Sequence, residues 1–122
     1  MAENNHRKWK QQDGTQMLFT VAECGEFHSM GEYHEGIKTL AEAAAVYRMI
    51  LQKRGNGVPS IGIRIHRKGA AAEEDVQLDI LSGSEIDRGI LRQLPEGCSR
   101  VQVQRVIKEL AWMFPEKELV DF

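Results

Sequence analysis

Ile61, Ile63 and Ile65 alternate with Gly62, Arg64 and His66, a period of two that sets the isoleucines on one face of a strand. Val76, Leu78 and Ile80 alternate in the same way with Gln77 and Asp79. The two runs read as a hairpin whose loop is 68–75. Met17 to Glu23 carries a third alternation, with Phe19 and Val21 on one side and Thr20 on the other. It is expected to join the hairpin, because two strands alone are marginally stable.

Between and after these strands the apolar period lengthens to that of a helix. Leu40, Ala43, Ala44, Tyr47, Ile50 and Leu51 form one stripe. Thr39 and Glu42 make a capping box at its start, and Lys53, Arg54 and Gly55 suit its end. Ile86, Ile90, Leu91 and Leu94 predict a short helix, weakened by Gly89 and stopped by Pro95. Ser99 and Gln102 cap a last helix with Val103, Val106, Ile107, Leu110 and Phe114 on its apolar face. Trp112 falls off that face.

The predicted order is β-α-β-β-α-α. The expected fold class is α+β, a small, mostly antiparallel sheet with helices packed on one side. Residues 1–16 are polar and read as a flexible tail, 17–114 as one domain and 115–122 as a second tail.

Composition adds bounds. The chain has 122 residues, 42% hydrophobic and 28% charged, enough for one core. Its net charge of −2 carries no global bias toward nucleic acid or membrane. No apolar run approaches the roughly 20 residues of a membrane span, and the N-terminus lacks a signal-like apolar segment. Cys24 and Cys98 have no metal or redox spacing, so free thiols in a cytoplasmic protein are expected.

Chemistry-bearing residues gather in 24–38, read as a long loop. It holds Cys24, His28, His34, three glutamates, Phe27 and Tyr33. A connection that long usually carries function. Four readings compete. Cys24, His28 and His34 offer soft metal ligands, but at non-standard spacing. No metal and no cofactor is expected, and the histidines then hold the loop's shape. Cys24 with a histidine could form a nucleophilic pair of a small hydrolase, against the commoner buried structural thiol. No catalytic residue is assigned on that basis.

Nucleic acid is the third reading. The segment 43–72 holds six basic residues and no acid. Arg48, Lys53, Arg64, Arg67 and Lys68 would contact phosphates; a solvated, locally paired face is the alternative. Protein binding is the fourth and main expectation, through Phe27, His28, Met30, Tyr33 and His34. Its alternative is a loop packed by its own aromatics.

The run from Val21 to Ile50 includes Phe27-His28-Ser29-Met30-Gly31-Glu32-Tyr33-His34, leading into Leu40-Ala41-Glu42-Ala43. It resembles accessory modules of bacterial conjugative and mobile-element proteins, of the large polyvalent protein-associated type. Ile61-Gly62-Ile63 and Ser84-Glu85-Ile86-Asp87 follow in the expected order, so the resemblance spans 17–114. It implies a bacterial, cytoplasmic accessory role with a protein partner. It implies no reaction and no active-site residues.

Overall fold

A computed structural model describes residues 16–25, 30–53, 57–67 and 69–122. The fold is α+β, with a six-stranded, mostly antiparallel sheet. In chain order the elements are β1 (Gln16–Gly25), β2 (Met30–Ile37), α1 (Leu40–Gln52), β3 (Gly57–His66), β4 (Val76–Ser82), β5 (Glu85–Asp87), a 3-10 segment (Arg88–Gln93), α2 (Arg100–Met113) and β6 (Glu118–Val120). A further 3-10 turn at Ala72–Glu74 precedes β4. Across the sheet the strands run β2-β1-β3-β4-β5-β6.

The predicted periods appear as burial. Met17, Phe19 and Val21 of β1 pair with Ile65, Ile63 and Ile61 of β3, and all six side chains enter the core. On α1, Leu40, Ala43, Ala44, Tyr47 and Ile50 are buried; Leu51, at the margin of the predicted stripe, stays 45% exposed. On α2, Val103, Val106, Ile107 and Leu110 are buried, as is Phe114 after it. All belong to one cluster, so both helices cover the face bearing the isoleucines. Tyr47 meets Phe114 edge to face at 5.2 Å, joining the two helices at the centre.

Both predicted caps form. The Glu42 amide donates to Thr39 Oγ1 at 3.1 Å, and the Gln102 amide to Ser99 Oγ at 3.2 Å.

Three expectations change. The 24–38 loop is mostly strand: β1 runs to Gly25 and β2 returns from Met30, so the segment is the end of a hairpin. Its polarity hid it, because β2 is an edge strand and needs no continuous apolar face. The predicted 86–94 helix is a strand and a 3-10 segment. Gly83, at φ +58, lets a two-residue turn fold β5 back on β4, with Ser82 opposite Glu85. Asp87 then caps the 3-10 segment through the Gly89 amide at 2.7 Å. Finally, 115–122 is no tail. Residues 118–120 form β6, paired in parallel with β5.

The β3–β4 hairpin contains a bulge. Ile63 faces Leu78 and Ile65 faces Val76, but Ile61 faces Leu81, because Ile80 is an extra residue there. Both Ile80 and Leu81 are thereby buried. None of the helices is long and apolar enough to cross a membrane, among the described residues.

Candidate functional site

The hairpin β1–β2 sends successive side chains to opposite faces of the sheet. His34 lies opposite Val21, on the helix side. There Glu32 bridges two partners, His34 Nε2 at 2.9 Å and Lys53 Nζ at the end of α1. Those hydrogen bonds, Lys53 first and His34 second, hold the Glu32 carboxyl below its ordinary value. The cluster clamps β2 to the helix. Glu23, buried beside it, lays Oε1 over Gly31, where any Cβ would stand 2.1 Å from that oxygen. A side chain at position 31 would therefore have to displace the Glu23 carboxylate.

Tyr33 and Glu35 go to the other face, where the Tyr33 hydroxyl donates to Glu35 at 3.3 Å. Arg64 and His66 share that face, as their strand period predicts. Asp75 receives both of them: Arg64 Nε at 2.9 Å and His66 Nδ1 at 2.6 Å. The His66 hydrogen bond foremost, and that of Arg64 next, lower the Asp75 carboxyl against the opposing effect of burial. With Gln16, Leu18 and Glu35 these groups surround a hollow of about 400 Å³. Its chemistry is that of a clip holding the 3-10 turn onto β3.

Of the five residues expected to bind a protein, the structure thus separates Tyr33 and His34 onto opposite faces. Phe27 and His28 lie outside the described residues. Met30 is placed only by its backbone pairing with Cys24. The side chain of Cys24 also lies outside the described set, and with it the metal and nucleophile readings. Among the described residues, no group of three or more His, Cys, Asp or Glu side chains is arranged to hold a metal ion. Cys98 is a free, half-buried thiol. Burial raises its pKa, against a smaller opposing effect of Arg67, the reverse of what an activated nucleophile needs.

The cations expected to read phosphates do not converge. Arg48 donates to the Met113 carbonyl at 2.9 Å and lies 4.4 Å over the Phe114 ring. Lys53 is held by Glu32, and Arg64 by Asp75. Arg67 donates to the Glu74 and Glu96 carbonyls. Lys68 lies outside the described residues. Each engaged cation ties one element to another.

A different surface does converge. The outer side of α2, the 3-10 segment and the C-terminal strand enclose an open groove of about 860 Å³. Its walls carry Arg88, Arg92, Arg100, Arg105 and Lys108, and its lining holds one carboxylate, Asp121. Its floor is aliphatic: Leu91, Val101, Ile107, Ala111 and Leu119. Val101 is 66% exposed. Trp112, one helical turn beyond Lys108, is 83% exposed and extends the same face.

The groove is built by contacts across the chain. Arg100 donates to the Leu91 carbonyl at 2.6 Å and fastens α2 to the 3-10 segment. Arg92 reaches both Asp121 and the Phe122 carbonyl. Lys117 donates to the Gly83 carbonyl at 2.7 Å, and the Glu118 amide to that of Ser84 at 2.8 Å. These bonds hold β6 against β5.

A sequence signal for the groove exists. Residues 88–108 hold five basic residues and one acid, Glu96. The larger basic run at 43–72 overshadows it, and the floor needs Leu119 from the presumed tail. Comparison with protein-family models, with curated proteins and with solved structures finds no match.

Proposed function

We propose that the chain is a non-enzymatic interaction module whose binding surface is the cationic groove beside α2. One observation carries this reading: five cations line a groove whose aliphatic floor exposes Val101 and Leu119 to solvent. Apolar surface rimmed by polar and charged groups is a common mark of a binding groove. A cleft of one charge sign also focuses its field and draws an anionic partner in.

The lining groups bind rather than react. Guanidinium groups keep their protons at any working pH and donate hydrogen bonds in a fixed fork. Asp121, the carboxylate of the lining, is already paired with Arg92. An accessory role in a bacterial, cytoplasmic mobile-element setting, which the sequence resemblance suggests, is the same kind of role and belongs to this proposal. Compared with the hairpin surface expected from sequence, the groove gathers its binding groups in one place.

The test is a titration with poly-L-glutamate at low salt, followed by backbone amide shifts. Shifts are expected to concentrate on 88–92 and 100–112 and to collapse in the Arg105→Glu/Lys108→Glu double variant. Shifts centred on Arg64 and Arg67, or an unchanged response in the double variant, would overturn the assignment.

A further inference from the structure

We infer that the groove's partner is an acidic amphipathic helix of another protein, laid along α2 with its apolar side chains on the aliphatic floor. This rests on the reading of the groove as the binding surface and adds the chemistry of what it binds.

Three observations select this partner. The first is the floor. Its five residues are aliphatic; Trp112, a single ring, stands beside the groove and not in its lining, so successive bases have no row of rings to stack on. Single-stranded nucleic acid gains much of its affinity by stacking bases on aromatic rings. Duplex nucleic acid presents a convex, hydrated row of phosphates that leaves an aliphatic floor unused. Leucine-like side chains on one face of a helix fill such a floor.

The second is charge. Asp121 neutralises Arg92, yet Arg88 and Lys108 pair with no carboxylate among the described residues. A partner that covers those walls is matched in charge if it brings acidic groups to them.

The third is the chain's own C-terminal stretch. Leu119 lies on the floor while Asp121, two residues on, pairs with the Arg92 guanidinium. An aliphatic side chain and a carboxylate from one segment thus already sit together in the groove, the two kinds of group proposed for the partner.

The backbone form follows from the edges available. β6 is three residues long, too short to template an added strand. The long wall is α2, with 14 residues or about 21 Å. Val101, Arg105, Lys108 and Trp112 recur along it at helical spacing, a wall against which a second helix packs. Trp112 and Val101, the most exposed apolar side chains of α2, would anchor the two ends of the partner.

The experiment uses the full chain and labelled probes read by fluorescence anisotropy. One probe is a helical peptide of about 15 residues with leucines on one face and glutamates on the other. The second is the same composition scrambled so that no apolar face forms. The others are single-stranded and duplex oligonucleotides.

The ordered peptide is expected to bind about tenfold or more tightly than the scrambled one. Lys108→Glu and Val101→Asp should each weaken it about fivefold or more, since one removes wall charge and the other spoils the floor. Lys38→Glu, on the connection after β2 at the far edge of the sheet, should leave it unchanged. Equal binding of ordered and scrambled peptides would overturn the amphipathic helix. Tighter oligonucleotide binding that is lost in Lys108→Glu would also overturn it, while leaving the groove as the binding surface. No probe responding to either groove variant would overturn both readings.

Discussion

Gly89→Ala is expected to destabilise the intact chain and to do the opposite once the last two residues are removed. Gly89 lies in the 3-10 segment under the C-terminal stretch. A Cβ built there stands 2.6 Å from the Phe122 carbonyl carbon and 3.0 Å from the Phe122 nitrogen. Ordinary carbon contacts begin near about 3.5 Å, so the C-terminal segment has to retreat by roughly 1 Å. Both near atoms are backbone, which gives way only as a unit. Asp87 Oδ1, 2.9 Å from the same point, accepts from the Gly89 amide and, at 3.1 Å, from the Phe122 amide.

A retreat of that size breaks the Phe122 bond to Asp87 and stretches the two contacts made by Arg92. Losing one charge-assisted hydrogen bond and overpacking a tight contact together cost about 1–3 kcal/mol. At roughly 4 °C per kcal/mol for a domain of this size, Tm falls by about 4–12 °C. In a chain ending at Val120 the obstructing backbone atoms are gone, and Asp87 Oδ1, 2.9 Å away at the end of a side chain, needs to give by only a few tenths of an ångström. Gly89 does not have a positive φ. Alanine then gains about 0.4–1 kcal/mol by restricting the unfolded chain.

The assay is urea unfolding of four proteins: the intact and the shortened chain, each with and without the Gly89→Ala substitution. Hydrogen exchange at the amides of 118–120 is followed in parallel and should accelerate in the intact variant alone. The same sign of ΔΔG in both backgrounds would refute the argument, because it would show that the C-terminal stretch does not rest on Gly89.

Two further outcomes are expected. Phe114→Ala removes the ring that meets Tyr47 and lies under Arg48, and should cost about 3–5 kcal/mol in urea unfolding; a loss below about 1 kcal/mol would show that α1 and α2 do not share a core. Asp75 has a lowered pKa in the folded chain, so its contribution is present above the unfolded carboxylate value of about 3.9 and disappears as pH falls through the lower folded value. Asp75→Asn should therefore be less stable than the parent at neutral pH, and the gap should close on acidification below about pH 4; a gap independent of pH would count against the Arg64–Asp75–His66 clip.

Much of the core is written in local patterns. The alternation at Ile61–Ile65 and the stripe at Val103–Phe114 each concern a face that must be buried, and burial imposes a period that sequence reveals. The caps at Thr39 and Ser99 are legible for a related reason: a side-chain oxygen and an amide three residues on meet within one turn.

What stays hidden depends on pairing between distant residues. β2 is an edge strand whose polar residues show no period, and only its register against β1 makes it a strand. That register sends Tyr33 and His34 to opposite faces, which their adjacency in sequence does not reveal. β6 has three residues, too few to show a pattern, and forms because Lys117, Glu118 and Arg92 find partners some 29–34 residues away. The groove is the least legible feature, since it needs two cationic segments, a strand from the presumed tail and the fold that brings them together. Local sequence dictates which faces are buried and where the helices begin. Folding in three dimensions decides which cations, such as Arg48, Lys53 and Arg100, are consumed in holding the chain together and which, such as Arg88 and Lys108, are left to line the groove, because charge pairing is settled by distance in space and not along the chain.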